Sequence, residues 1–215
     1  MGSGRLLLLL LTLNLAVAAQ TPPPSTKPKT HAPALDPGSV SSNVYRNKTL
    51  GLVCRIPDAW VLRTDEMNAP DGEAPAPAAP GSLPPASSAG SKVLLAAFSR
   101  PPAAPGEDIN SSIVIAAEPM AAYPGLKEAA EYFYPIEEVA KAQGLALDED
   151  PYAIAMGTTT LVRGDFHKDV GTRVLRQSTL VLLSHGYAVS ITMIAGTTDE
   201  VEDLIDGLSF IAGKK

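Results

Sequence analysis

Residues able to do acid-base or metal chemistry are few in this chain. It has three histidines, and only one stands at a useful spacing from an acid. Asp165 and His167 are two apart, and in a strand residues i and i+2 share a face. A carboxylate and an imidazole placed so can share a proton or hold part of a metal site. The plainer reading is a solvated strand end, because Arg163, Lys168 and Asp169 beside them supply charge partners. His31 falls in a proline-rich stretch. Ser184-His185-Gly186 lies between two apolar runs, and histidine is among the few non-glycine residues that accept positive φ, so His185 reads as a turn residue. Asp148-Glu149-Asp150 offers the oxygen ligands that calcium favours. Consecutive carboxylates point in different directions, however, and the glycine and alternation of a calcium loop are missing, so this group reads as an exposed loop.

Cys54, the single cysteine, sits in the apolar run 50–56 and reads as a buried small hydrophobe. The patterns G-x-S-x-G, H-E-x-x-H, C-x-x-C, G-x-G-x-x-G and the P-loop do not occur. No catalytic, cofactor-binding or metal-ligating residue is assigned, and no cofactor is expected. Tyr132-Phe133-Tyr134 is the densest aromatic group. Phe133 belongs to an apolar stripe, and the flanking tyrosines serve either as ordinary packing with wet hydroxyls or as a partner contact. Asn47-Lys48-Thr49 and Asn110-Ser111-Ser112 are glycosylation sequons if the source is eukaryotic.

The elements that must position these residues are mostly strands. The spacing predicts strands over 44–46 and 50–56 around an Asn47-Lys48 turn, with Pro57 as a stop because it cannot donate to a ladder. Runs 93–98 and 113–117 read as buried strands. In 187–193, Tyr187, Val189, Ile191 and Met193 fall on one face and Ala188, Ser190 and Thr192 on the other. The run 180–183 is apolar on both faces, which predicts a sheet covered on both sides by helices. A helical region over 124–143 carries Leu126, Ala129, Ala130 and Phe133, with Pro135 expected to split it into two short helices. A second helix begins at Thr197, with Glu200 completing a capping box, and carries Val201, Leu204, Ile205 and Leu208 on one stripe. Trp60 and the odd-numbered face of 187–193 are expected in the core.

At the N-terminus, Arg5 precedes a short apolar run ending in Ala16-Val17-Ala18-Ala19. This is the pattern of a secretory signal peptide over residues 1–19, with the mature chain starting at Ala19 or Gln20, and it predicts a secreted or periplasmic protein. The apolar run is too short to span a bilayer, which takes roughly 20 residues, so no stable membrane insertion is expected after cleavage. The whole chain has a net charge of −6 and its basic residues are dispersed, which excludes a nucleic-acid partner. Two stretches rich in Pro, Ala and Ser carry none of the aromatic residues and cannot bury enough apolar surface to offset ordering. They predict a disordered tether over 20–42 and a disordered insertion over 68–91, inside one domain spanning 43–215.

The segment 47–52 leading into Arg55-Ile56-Pro57-Asp58-Ala59-Trp60, together with the closing unit of Gly186-Tyr187, strand and terminal helix ending in Leu208-Ser209-Phe210, resembles the PsbP-like family. That family includes the extrinsic photosystem II protein, Ran-binding Mog proteins, and LpqN and DcrB-like envelope proteins. The resemblance implies an α+β fold, an antiparallel sheet sandwiched between helices, and roles played mostly through protein partners. The expected function is a non-catalytic accessory or protein-interaction domain of the cell envelope, with an envelope or extracellular protein as partner. The competing readings are a hydrolase or metal-dependent enzyme centred on Asp165 and His167, and a small-ligand carrier.

Overall fold

The structure is a computed structural model that describes residues 35–69, 91–101, 104, 106 and 108–211, all within the unit Ala32–Lys215. The expected signal peptide, the tether up to residue 34 and insertion residues 70–90 lie outside the described residues.

In chain order the elements are β1 (Ser39–Ser41), β2 (Val44–Asn47), β3 (Leu52–Arg55), β4 (Val61–Leu62), α1 (Thr64–Met67), β5 (Lys92–Phe98) and β6 (Ser112–Pro119). After two 3-10 turns, Met120–Ala122 and Ala129–Tyr132, come α2 (Phe133–Ala142), β7 (Ala146–Leu147), β8 (Tyr152–Met156), β9 (Thr159–Val170) and β10 (Arg173–Ser184). The chain continues through β11 (Tyr187–Ala195), α3 (Thr198–Asp206) and β12 (Leu208–Phe210). An eight-stranded sheet runs β4-β5-β6-β11-β10-β9-β7, with β8 also on β9, and a four-stranded sheet runs β1-β2-β3-β12. The pairings are antiparallel.

Alternation along the central strands divides the core in two. Leu180, Leu182, Val189, Ile191 and Met193 pack with Val201, Leu204 and Ile205 of α3 and with Tyr45, Leu52 and Cys54 of the small sheet. The alternate residues Leu175, Val181, Ala188 and Ile194 pack with Tyr132, Phe133, Ile136 and Ala140. The doubly apolar run in β10 thus has cover on both faces. One face, however, is shared by α3 and a small sheet, where the sequence led us to expect helices alone. The first and last described strands both belong to that small sheet: β12 pairs with β3 through Leu208↔Cys54 and Phe210↔Leu52.

Several expectations are corrected. Ser39–Ser41 form a strand against β2, so the end of the expected tether belongs to the fold. Its side chains are exposed, which left no apolar pattern to read. Pro135 does not split a helix. It stands in the first turn of α2, where a backbone N–H lacks an intrahelical partner anyway. Leu126 precedes the helical residues altogether. Leu208–Phe210 is a strand after Gly207 and not the end of a helix. Trp60 is only half-buried at the rim of the main core, and Tyr132 is buried where an outward face was one of the two readings.

Other local readings hold. Thr197 accepts from the Glu200 amide, and the Glu200 carboxylate accepts from the amides of Gly196 and Thr197. His185 has φ 52° and Gly186 φ 81°, the two left-handed residues that a tight β10–β11 hairpin requires. Cys54 is free and buried, and burial pushes its thiol up to about 12.

Candidate functional site

Asp165 and His167 do lie on one face of β9, as their spacing requires, and Arg163 precedes them on that face. Neighbouring elements then pull the two apart chemically. The Arg163 Nε–H donates to both carboxylate oxygens of Asp165, at 3.0 and 2.9 Å. The two terminal nitrogens of Arg163 donate to Glu202 of α3 at 3.1 and 2.5 Å. The Tyr152 hydroxyl of β8 donates to Asp165 at 3.1 Å. Burial works against the Arg163 charge, but the hydrogen-bonded carboxylates of Glu202 and Asp165 outweigh it and raise its pKa. The Tyr152 phenol is raised as well, by burial first and then by the Asp165 charge.

His167 pairs elsewhere. Its Nδ1 meets a carboxylate oxygen of Asp148, and Arg176 of β10 reaches the other oxygen at 3.4 Å. The imidazole is 39% exposed. An Asp148–His167 pair is the orienting half of a nucleophilic triad. Among the described residues, however, no hydroxyl or thiol is recorded as a hydrogen-bond partner of the His167 ring. In the Asp148-Glu149-Asp150 loop, Asp148 meets His167 and Arg176, while Glu149 and Asp150 are exposed. Among the described residues, no group of three His, Cys, Asp or Glu side chains is arranged to hold a metal.

Between these groups lies a recess of about 140 Å³, bounded in part by Asp148, Arg163, Asp165, Arg176 and Thr198. It is smaller than the roughly 300–1,000 Å³ of ordinary small-molecule sites, and Asp148, Arg163, Asp165 and Arg176 on its walls are paired, while Glu149 is exposed. The Asp165 carboxylate is already engaged by the Arg163 guanidinium and the Tyr152 hydroxyl. The sequence marks Arg163 only as a charged neighbour of Asp165 and His167. Its partner Glu202 lies on α3, 39 residues along the chain, and no local pattern pointed to it.

Neither sequon presents a free amide. The side-chain nitrogen of the buried Asn47 donates to the Asp36 carbonyl at 2.6 Å, and that of Asn110 to the Arg100 carbonyl at 3.1 Å.

The second concave feature sits beside the aromatic group. A recess of about 470 Å³ is walled by Tyr123, Pro124, Glu131, Tyr132, Tyr134 and Pro135, among others. Tyr123 and Tyr132 meet edge to face, with centroids 5.1 Å apart and planes at 88°, and the Tyr123 hydroxyl donates to Glu118. Burial and then the Glu118 carboxylate push the Tyr132 phenol up. Tyr134 stands 74% exposed. Among the described residues, no helix is long and apolar enough to cross a membrane.

No protein-family model matches the sequence, and no curated protein matches it. Solved structures do. A cyanobacterial PsbP, CyanoP from Synechocystis sp. PCC 6803, is 13% identical over 81% of this chain and 98% of its own, with a TM-score of 0.48. LpqN, involved in cell envelope biogenesis of Mycobacterium tuberculosis, is 16% identical over 81% and 85%, with a TM-score of 0.36. PA94 of Pseudomonas aeruginosa, of unknown function, is 21% identical over 45% of this chain and 66% of that one, with a TM-score of 0.33. Two of these three, a PsbP and LpqN, come from the PsbP-like group that the sequence resembles.

Proposed function

We propose that this chain is a non-catalytic accessory domain of the cell envelope, exported by residues 1–19 and working through a protein partner. The observation that carries the reading is the separation of Asp165 from His167. Each is held by a different set of partners, Arg163 and Tyr152 for the acid and Asp148 for the imidazole. Catalysis needs a third group converging with them on a concave, water-excluding site, and most of the charged side chains on the small recess there are held in ion pairs. A carrier would need an enclosed apolar cavity, whereas among the described residues the side chains of β10, β11, α3 and the small sheet pack on one another in the main core.

Three measurements test this. Intact mass of the exported protein should place the mature N-terminus at Ala19 or Gln20. His167→Ala should keep its circular dichroism and melting temperature, and it should capture the same partner from an envelope fraction as the wild type. Stoichiometric metal lost on His167→Ala, or ester hydrolysis by the wild type that vanishes in this folded variant, overturns the reading in favour of an enzyme.

A further inference from the structure

The Tyr123–Tyr134 recess plays no part in the ion-pair cluster. Ala122, Pro124, Gly125, Glu131 and Tyr134 on its walls are exposed. A site so open cannot enclose the 70–90% of a ligand's surface that small-molecule pockets typically bury. It suits a chain segment lying across it. The edge-to-face pair leaves Tyr123 and Tyr132 nearly perpendicular, and exposed Tyr134 lines the recess together with Pro124 and Pro135. Aromatic slots of this kind take proline rings, and a polyproline II segment is ordered before it binds, so little entropy is lost.

Charge supplies the remaining constraint. Glu131 is the only charged side chain on the walls. Its carboxylate accepts from the amides of Lys127 and Glu128, which hold it ionised below the usual carboxylate range. Behind the rings stands Glu118, holding the Tyr123 hydroxyl. Lys127 is the opposing charge on this loop, against Glu118, Glu128 and Glu131. Resting on the accessory-domain reading, we propose that this recess binds an extended, proline-rich segment of a partner protein that carries lysine or arginine beside its prolines.

The test is fluorescence polarisation with the mature protein and a labelled synthetic peptide of Pro-Pro-Leu-Pro repeats flanked by lysines. Saturable binding is expected. Tyr134→Ala, at an exposed position, should weaken it about tenfold, as loss of an aromatic anchor does. Glu131→Gln keeps a capping side chain and should weaken binding several-fold, as should glutamates in place of the peptide's lysines. No binding to the folded wild type overturns the proposal, as does binding unchanged in Tyr134→Ala. Tighter binding of a peptide spanning this chain's own residues 20–34 would assign the recess to a second copy and overturn the partner assignment. A partner captured from the envelope in amounts unaffected by Tyr134→Ala would sink this proposal alone. The accessory reading would fail separately, through His167-dependent catalysis or metal.

Discussion

Gly164 gives the sharpest test of the packing between α2 and the sheet. It lies in β9, and a Cβ added there would sit 2.5 Å from Cε1 of Phe133, with Cδ1 at 3.1 Å and Cζ at 3.3 Å. Phe133 is 1% exposed at the start of α2, enclosed with Ile136 and Phe166, so its ring has nowhere to go. The backbone of Gly164 is not in the left-handed region. Alanine in an unobstructed strand would therefore gain about 0.5–1 kcal/mol over glycine, and overpacking a tight core costs about 1–3 kcal/mol. The ring contact wins, and Gly164→Ala is expected to destabilise by about 1 kcal/mol at the midpoints of the two ranges. Urea unfolding followed by Trp60 fluorescence should show a lower midpoint at unchanged slope. In a Phe133→Leu background the same change should become neutral or stabilising, a coupling of about 1–3 kcal/mol. A neutral or stabilising Gly164→Ala in the wild type, or an equal effect in both backgrounds, would show that the ring does not lie against β9.

Other outcomes follow from burial and charge. Ile191→Ala should cost about 2–5 kcal/mol, while Ser190→Ala on the alternate face should cost less than about 1 kcal/mol; equal effects in denaturant melts would mean the register of β11 is wrong. Arg163→Met strands the mostly buried Asp165 and should cost about 1–3 kcal/mol. Glu202→Gln, half exposed at the outer end of the same pair, should cost under about 1 kcal/mol by the same melts. Cys54 should resist thiol reagents in the native state at pH 8. Its folded pKa of about 12 exceeds the ordinary 9.0, so the folded state holds the proton longer. That contribution is complete below pH 9 and is lost as pH rises towards 12, at up to about 1.4 kcal/mol per pH unit. Cys54→Ala should flatten this alkaline decline in urea midpoints.

What could be read in advance was what neighbouring residues state together. Thr197 and Glu200 name a helix start by their spacing, and His185-Gly186 names a hairpin by its φ requirement. β11 shows its two faces because strand geometry alternates them. The missed elements carry little of this local signal. β1 exposes all its side chains, and Leu208-Ser209-Phe210 continues the apolar stripe of α3 with only Gly207 as warning. The site followed the same rule. The shared face of Arg163, Asp165 and His167 was legible from spacing, but their partners were not. Tyr152, Glu202 and Asp148 arrive from other elements, and only the sheet register and the seat of α3 decide which charge each one meets.

The strand formed by the final described residues acts as a clasp. The β3 edge that it covers is made by residue 55, but its partner is synthesised only near residue 210, and the Arg55 amide bonds the Gly207 carbonyl at 2.9 Å. Until then β3 offers a row of unpaired amides and carbonyls to any neighbouring strand, and closure must bring together segments about 150 residues apart, a slow kind of contact. Loss of Leu208–Phe210 would thus do more than remove a short strand. It would leave a finished sheet with an adhesive edge, turning a self-contained domain into one that pairs with its neighbours.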